Sequence, residues 1–327
     1  MKKSILFLMV CLIWAVGSIS FANENKPKIG LVMSTGGMGS GFNKMAYTAL
    51  DKLKKEGKIE DFKYIEPNNV AEDIQFLDDF SSSKEYDLII GMGTVVAESM
   101  KEVQKKYPDQ KYALVGATSV IPNTVTVDFA EHEISFLAGA LAAMTSKTGV
   151  VGTIPAMSNK SFNRFVHGFY QGAKYVNKNI KVLNTYMPTS SANPFNDPVT
   201  GKNIALIMND RGADVLFHIA ELTGSGVFEA ARDRKFYAIG CDEDEDGKMP
   251  GVILTSVRVR IDNAVYTVVE ELIAGNYKPG YTMANVKTNG VSLTEFKYTK
   301  DAIGKDNLAK LEKIKKDLAN GKIKVTE

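Results

Sequence analysis

Short apolar runs alternate with longer stretches of helical periodicity through most of this chain, and that alternation leaves few folds open. Residues 28–33, 62–66, 86–91 and 111–115 read as strands, and 42–56, 71–82 and 94–107 as the helices between them. Buried strands separated by helices form parallel β-α-β units with helices on both sheet faces. After a connecting strand at 125–129 the series starts again. Helices are predicted at 131–147, 159–177, 200–210 and 226–234, and strands at 149–154, 181–186, 215–219 and 236–241. A second connector at 253–259 leads into a helix over 262–274, and a lysine-rich helix over 306–318 ends near Gly321. The expected fold is α/β, with two doubly wound parallel-sheet lobes joined by a multi-strand hinge. One lobe takes 23–128 plus about 257–285, and the other 129–256 plus about 286–327. Ligands of such sheets bind beyond the carboxyl ends of the strands, so facing lobes would enclose one cleft.

The first residues bear on compartment. Lys2-Lys3 precede an apolar stretch that ends Ser20-Phe21-Ala22, the pattern of a signal peptide cleaved after Ala22. An uncleaved anchor is the competing reading, because the stretch is nearly long enough to span a bilayer. Cys11 lies inside the apolar region and lacks a small residue before it, so no lipid anchor is expected there. Loss of residues 1–22 removes two lysines and leaves 38 basic and 38 acidic side chains. A neutral chain is a poor nucleic-acid binder, which needs surplus Lys and Arg. Cys241 is then the one remaining cysteine, and no internal disulfide can form.

The first strand runs into Ser34-Thr35-Gly36-Gly37-Met38-Gly39-Ser40-Gly41-Phe42-Asn43. Such a turn frees backbone N–H groups at a helix N-terminus. A dinucleotide fingerprint would need a third glycine where Phe42 stands, although Glu66 ends the next strand as a cofactor acid would. A P-loop would need a following Gly-Lys-Ser/Thr, which is missing. Asp242-Glu243-Asp244-Glu245-Asp246-Gly247 matches the first half of a calcium loop, but Ile253 stands where the bidentate glutamate belongs; the alternative is an exposed acidic turn. His132, His167 and His218 sit in no Gly-x-Ser-x-Gly elbow and no His-Glu-x-x-His helix, and His218 reads as a packed residue. No nucleophile, base and oxyanion site assemble at readable spacing. A binding protein without cofactor or metal is the better expectation.

Gly36-Gly37 with Phe42-Asn43, Gly91-x-Gly93, Glu133-x-x-Phe136-Leu137-Ala138-Gly139, Gly168-Phe169-x-x-Gly172, Thr223-Gly224-x-Gly226-Val227, Ile239-Gly240-x-Asp242 and Thr255-Ser256 occur in one order. In that order and spacing the chain resembles the basic membrane protein family, the purine nucleoside receptor A-like solute receptors of ABC importers. The resemblance runs over most of the chain and implies a type I periplasmic-binding-protein fold, an extracytoplasmic location, a monomer and a membrane permease as partner. It implies Phe42 and Phe195 as ring-stacking aromatics, Asn43 as reader of the ring edge, Gly224, Ser225 and Gly226 as backbone contacts, and Asp242 as acceptor for sugar hydroxyls. Locally, Phe195 could instead pack the Pro194–Pro198 loop and Asp242 could cap a turn.

The chain departs from the family at three positions. Ser34 and Thr35 stand where the family carries an aspartate before its glycines. Gly116 replaces a second aspartate, and Val259, flanked by Arg258 and Arg260, replaces a lysine. Lost polar partners usually mean a changed ligand, and the smaller residues at 116 and 259 are expected to leave more room. The expected ligand is a purine nucleoside-type heterocycle, with riboflavin or another flavin as the alternative. The rival classes are a nucleoside-processing enzyme and a ligand sensor feeding a signalling partner.

Overall fold

The computed structural model describes residues 26–34 and 36–327. The leader with Cys11, and Thr35, lie outside the described residues. The first series is β1 (Lys28–Val32), α1 (Gly41–Lys55), β2 (Asp61–Ile65), α2 (Val70–Ser83), β3 (Leu88–Met92), α3 (Gly93–Lys106), β4 (Tyr112–Val115) and β5 (Thr124–Phe129). The second is α4 (Glu131–Thr145), β6 (Val150–Pro155), α5 (Lys160–Val176), β7 (Lys181–Asn184), α6 (Pro198–Asp210), β8 (Val215–Ile219), α7 (Gly224–Arg234), β9 (Tyr237–Asp242) and β10 (Ile253–Val259). The chain then adds α8 (Ile261–Ile273), β11 (Gly280–Ala284), β12 (Val291–Leu293), α9 (Lys300–Ile303) and α10 (Lys305–Ala319).

Two sheets result, ordered β2-β1-β3-β4-β5-β11 and β7-β6-β8-β9-β10-β12. Strand for strand the orders correspond, which makes the lobes topological copies. The first sheet is parallel throughout, and in the second β12 alone among the described strands runs antiparallel. Central strands such as β3 and β8 are buried along their whole length, as expected where helices cover both faces.

The chain passes between the lobes three times. β5 leads into α4, which packs on α5 of the second lobe. β10 leads into α8, which packs on α1 of the first, and β11 of the first sheet leads to β12 of the second. The passages are tied together, since Ala130 N donates to Ala284 O and Arg260 N to Gly290 O, each at 2.9 Å. One apolar cluster runs from Leu31, Leu50 and Val115 through Phe129 and Val259 to Phe165, Phe217 and Leu311.

Several of the family-like glycines turn out to be packing residues. A Cβ on Gly139 would overlap the Phe169 carbonyl, on Gly168 that of His132, and on Gly172 that of Phe136. They let α4 and α5 approach backbone to backbone. Gly226 does the same for α7 against the Pro198 carbonyl of α6.

Candidate functional site

Helices α1, α2, α5 and α6 open at side-chain caps. Ser40, Asn69, Asn159 and Asp197 each accept the backbone N–H three residues on. A cavity of about 160 Å³ lies among the helix starts and strand ends of both lobes. Phe42, Gly93, Gly116 and Ser34 line it from the first lobe. Phe162, Phe195, Glu221 and Asp242 line it from the second, with Phe129, Glu131 and Val259 at the crossovers.

Of the residues expected at the site, Phe42, Gly116, Phe195 and Asp242 meet in this cavity. Phe42 rests on glycine. A side chain at Gly116 would overlap its ring, and one at Gly93 would come within 3.9 Å of it. Both glycines have left-handed backbones, with φ of 77° and 79°. The room expected from Gly116 is therefore not free space, because the Phe42 ring occupies it. Phe195 is held from behind: Thr223 N donates to Phe195 O, and the Thr223 hydroxyl donates to Pro194 O while accepting from Asp197 N.

Asn43 sits elsewhere. It is wholly buried, its Oδ1 accepts from Ser34 N and the Ser34 hydroxyl, and its Nδ2 donates to Ser34 O and Gly37 O, all at 3.0–3.1 Å. Every polar arm of the amide is spent on shaping the glycine turn, and Asn43 does not line the cavity. Glu66 is a second anchor for that turn, accepting from Met38 N at 2.9 Å. Gly224, Ser225 and Gly226 form the start of α7 and do not line the cavity either. Gly224 packs against the His218 ring, and the exposed Ser225 hydroxyl returns to Leu222 O. Arg258 is in register with Asp242 on the neighbouring strand but is not among the lining residues.

Sequence reasoning missed Phe162, Glu131 and Glu221. Phe162 was signalled. Ser161-Phe162-Asn163-Arg164 opens α5 much as Gly41-Phe42-Asn43-Lys44 opens α1, and these helices follow the corresponding strands β6 and β1. The rings of Phe162 and Phe195 are 5.9 Å apart at 54°, within the tilted range that aromatic pairs favour.

The acids share one electrostatic character. Glu221 and Asp242 have left-handed backbones with φ of 45° and 67°, a costly conformation for side-chain-bearing residues. Burial, then repulsion from Glu221 and Glu245, pushes the Asp242 carboxyl up to about 7. Burial and Asp128 push Glu131 to about 7 against the opposing pull of Arg164, and burial raises Glu221.

The acidic loop after β9 is folded inward. Glu245 Oε2 is 2.7 Å from the buried His218 Nε2 and 2.9 Å from Cys241 N, while Asp246 Oδ1 accepts from the Ser256 hydroxyl at 2.7 Å. Asp246, one of the carboxylates a calcium loop would supply, is thus used internally. Among the described residues no group of three or more His, Cys, Asp or Glu side chains is arranged to hold a metal. No described helix is long and apolar enough to cross a membrane.

The family model for PnrA-like ABC transporter substrate-binding proteins, Bmp, matches residues 26–326. An uncharacterized lipoprotein of Pyrococcus horikoshii is 33% identical over 280 residues, covering 81% of this chain and 68% of that protein. Basic membrane protein D of Borreliella burgdorferi is 29% identical over 334 residues, covering 99% and 95%. Among solved structures, an ABC transporter solute-binding protein from Aeropyrum pernix K1 has a TM-score of 0.80 at 26% identity, covering 91% and 92%. The word lipoprotein in the first of these names runs against the expectation of no lipid anchor. With two corresponding α/β lobes, three crossovers and an aromatic cavity between them, the chain belongs to the Bmp family of PnrA-like ABC transporter substrate-binding proteins.

Proposed function

We propose that this protein is the extracytoplasmic receptor of an ABC importer and encloses a flat aromatic heterocycle of the purine nucleoside type. The observation that carries the reading is the convergence of Phe42 from one lobe with Phe162 and Phe195 from the other on a single cavity. A planar ring between aromatic faces gains buried area and stacking geometry. Asp242 and Glu131 are the acceptors for sugar-type hydroxyls. Ligand binding would favour the closed arrangement of the lobes by its differential affinity for that state, and the closed form is what a permease would engage. The protein acts without catalysis and as a monomer, its leader directing export; a lipid at Cys11 is the alternative end of the leader.

A flavin is the second reading, favoured by Ser34 and Val259 standing where charged nucleoside contacts are expected. Size favours the smaller ligand. A void near 150 Å³ is about enough for a benzene ring, so either ligand would have to widen this cavity, a nucleoside less than a three-ring flavin. Equilibrium titration with adenosine, guanosine, inosine and riboflavin tests both. Micromolar or tighter binding of a nucleoside, without turnover, is the expected result. Hydrolysis of a nucleoside by the purified protein would replace the receptor reading with an enzyme.

A further inference from the structure

The cavity's charge is one-sided. Glu131 at the start of α4, Glu221 after β8 and Asp242 at the end of β9 all line it, and among the described lining residues there is no lysine or arginine. Nearby cations do not balance these acids. Arg164 lies behind Glu131 at 3.2 Å, but it also pairs with Asp128 at 2.8 Å and Glu327 at 3.0 Å. His218 and Lys248 both engage Glu245, and Lys248 also engages Glu243. Arg258 is not among the lining residues. The remaining lining is largely apolar, with five phenylalanines, a residue type whose ring face attracts cations.

Resting on the reading that this cavity encloses an aromatic heterocycle, we infer that it selects one that is positively charged and carries no phosphate. A cation would meet ring faces and carboxylates together, in a setting where little water screens the attraction. A phosphate would meet three carboxylates and no lysine or arginine in the lining, and the guanidinium behind Glu131 is already shared by three acids. Discrimination against the wrong charge is thus built in by repulsion as well as by attraction. A phosphorylated precursor would need its phosphate removed by a hydrolytic reaction before this receptor could take it. Proton linkage follows. Burial, with repulsion from Asp128 on Glu131 and from Glu221 and Glu245 on Asp242, pushes those two carboxyls up to about 7, and burial raises Glu221, so an incoming cation displaces protons and its advantage shrinks in acid. The groups facing them are Asp128, Arg164 and Ser161 around Glu131, Ser40 and Glu243 around Glu221, and Cys241, Glu245 and His218 around Asp242.

The test is calorimetric titration of the full chain with adenosine, 1-methyladenosine (the same nucleoside bearing a ring cation), adenosine 5′-monophosphate, riboflavin and thiamine (a cationic heterocycle of another class). At pH 7.5, 1-methyladenosine should bind about tenfold or more tighter than adenosine, with the monophosphate about a hundredfold weaker than adenosine. The preference for 1-methyladenosine should shrink at pH 5.5, and in Glu221→Gln it should fall about threefold or more. Adenosine binding as tightly as 1-methyladenosine, or the monophosphate binding as well as adenosine, overturns the inference. Riboflavin binding with neither cation bound overturns it while sparing the heterocycle reading. Thiamine binding without any nucleoside or riboflavin supports the charge preference and removes the nucleoside and flavin assignments. Binding of none of the five removes both.

Discussion

Arg164 Nη1 lies 2.8 Å from Asp128 Oδ2, and both side chains are almost fully buried. Asp128 belongs to β5 of the first sheet, and Arg164 to α5 of the second lobe. The Tyr281 hydroxyl, from β11, donates to the same carboxylate, so one guanidinium is fastened to two of the strands that cross between the lobes. It also reaches Glu131 in the cavity wall. Cavity wall and hinge therefore share a single buried network.

Removing one partner of such a network strands the others without compensation, at a cost of about 3–5 kcal/mol. Arg164→Leu should lower the urea midpoint accordingly, and Arg164→Leu with Asp128→Asn should recover part of the loss. Equal midpoints for Arg164→Leu and the wild type would show that the pair contributes no net stability.

Phe42→Ala removes the ring that rests on Gly93 and Gly116. Stacking of a base on an aromatic is worth about 1–3 kcal/mol, so affinity should fall about five- to a hundredfold. Phe162→Ala should show a loss of the same order. An unchanged dissociation constant in both variants would remove the aromatic cavity as the ligand site.

Asn43→Ala separates a structural role from direct ligand contact. The substitution leaves Ser34 N without its acceptor and takes one of two donors from Gly37 O, which Ser40 N still serves. Each unsatisfied buried group costs about 1–3 kcal/mol. The variant should therefore melt several degrees lower even without ligand, about 2–4 °C per kcal/mol for a chain of this size. Weaker binding with no change in the ligand-free melting temperature would instead place Asn43 against the ligand.

Gly172→Val tests the α4–α5 contact, because the new side chain would meet the Phe136 carbonyl. A helix backbone cannot yield as a flexible side chain can, and overpacking typically costs about 1–3 kcal/mol or more. Soluble expression at wild-type stability would contradict the close packing.

The alternation of buried runs and amphipathic segments made the two lobes legible, because periodicity is a local property. β11 and β12 escaped. β11 is an exposed or half-exposed edge strand, and β12 has three residues, so neither has an apolar signature; they are strands because β5 and β10 offer them open edges. In the site, Phe195 was named only through family resemblance. Phe162 lies in a predicted helix, and only the likeness of its surroundings to the start of α1 sets it apart. Asn43 was assigned to the ligand because a sequence cannot show that Ser34 and Gly37 already use its amide. The convergence of Glu131, Glu221 and Asp242 was illegible for a different reason. They come from widely separated segments, and what unites them is the meeting of strand ends that only the folded sheet brings about.

Asp242 offers a prediction in pH. Its carboxyl titrates near 3.8 when unperturbed and near 7 in the folded protein, because burial and then Glu221 and Glu245 disfavour its charge. Between those values the native state holds a proton that the unfolded chain has released. Stability from this group is therefore fully present below about pH 4, is lost as pH rises toward 7, and stays lost above it. Asp242→Asn carries no such proton, so the ligand-free variant should gain stability over the wild type progressively from pH 4 to pH 7, with the difference level above that. Glu131 titrates in the same direction but is present in both proteins and drops out of the comparison. Melting temperatures of both proteins from pH 4 to pH 8 measure the difference, and a constant gap across that range would show that the Asp242 carboxylate is not held in a charge-averse position.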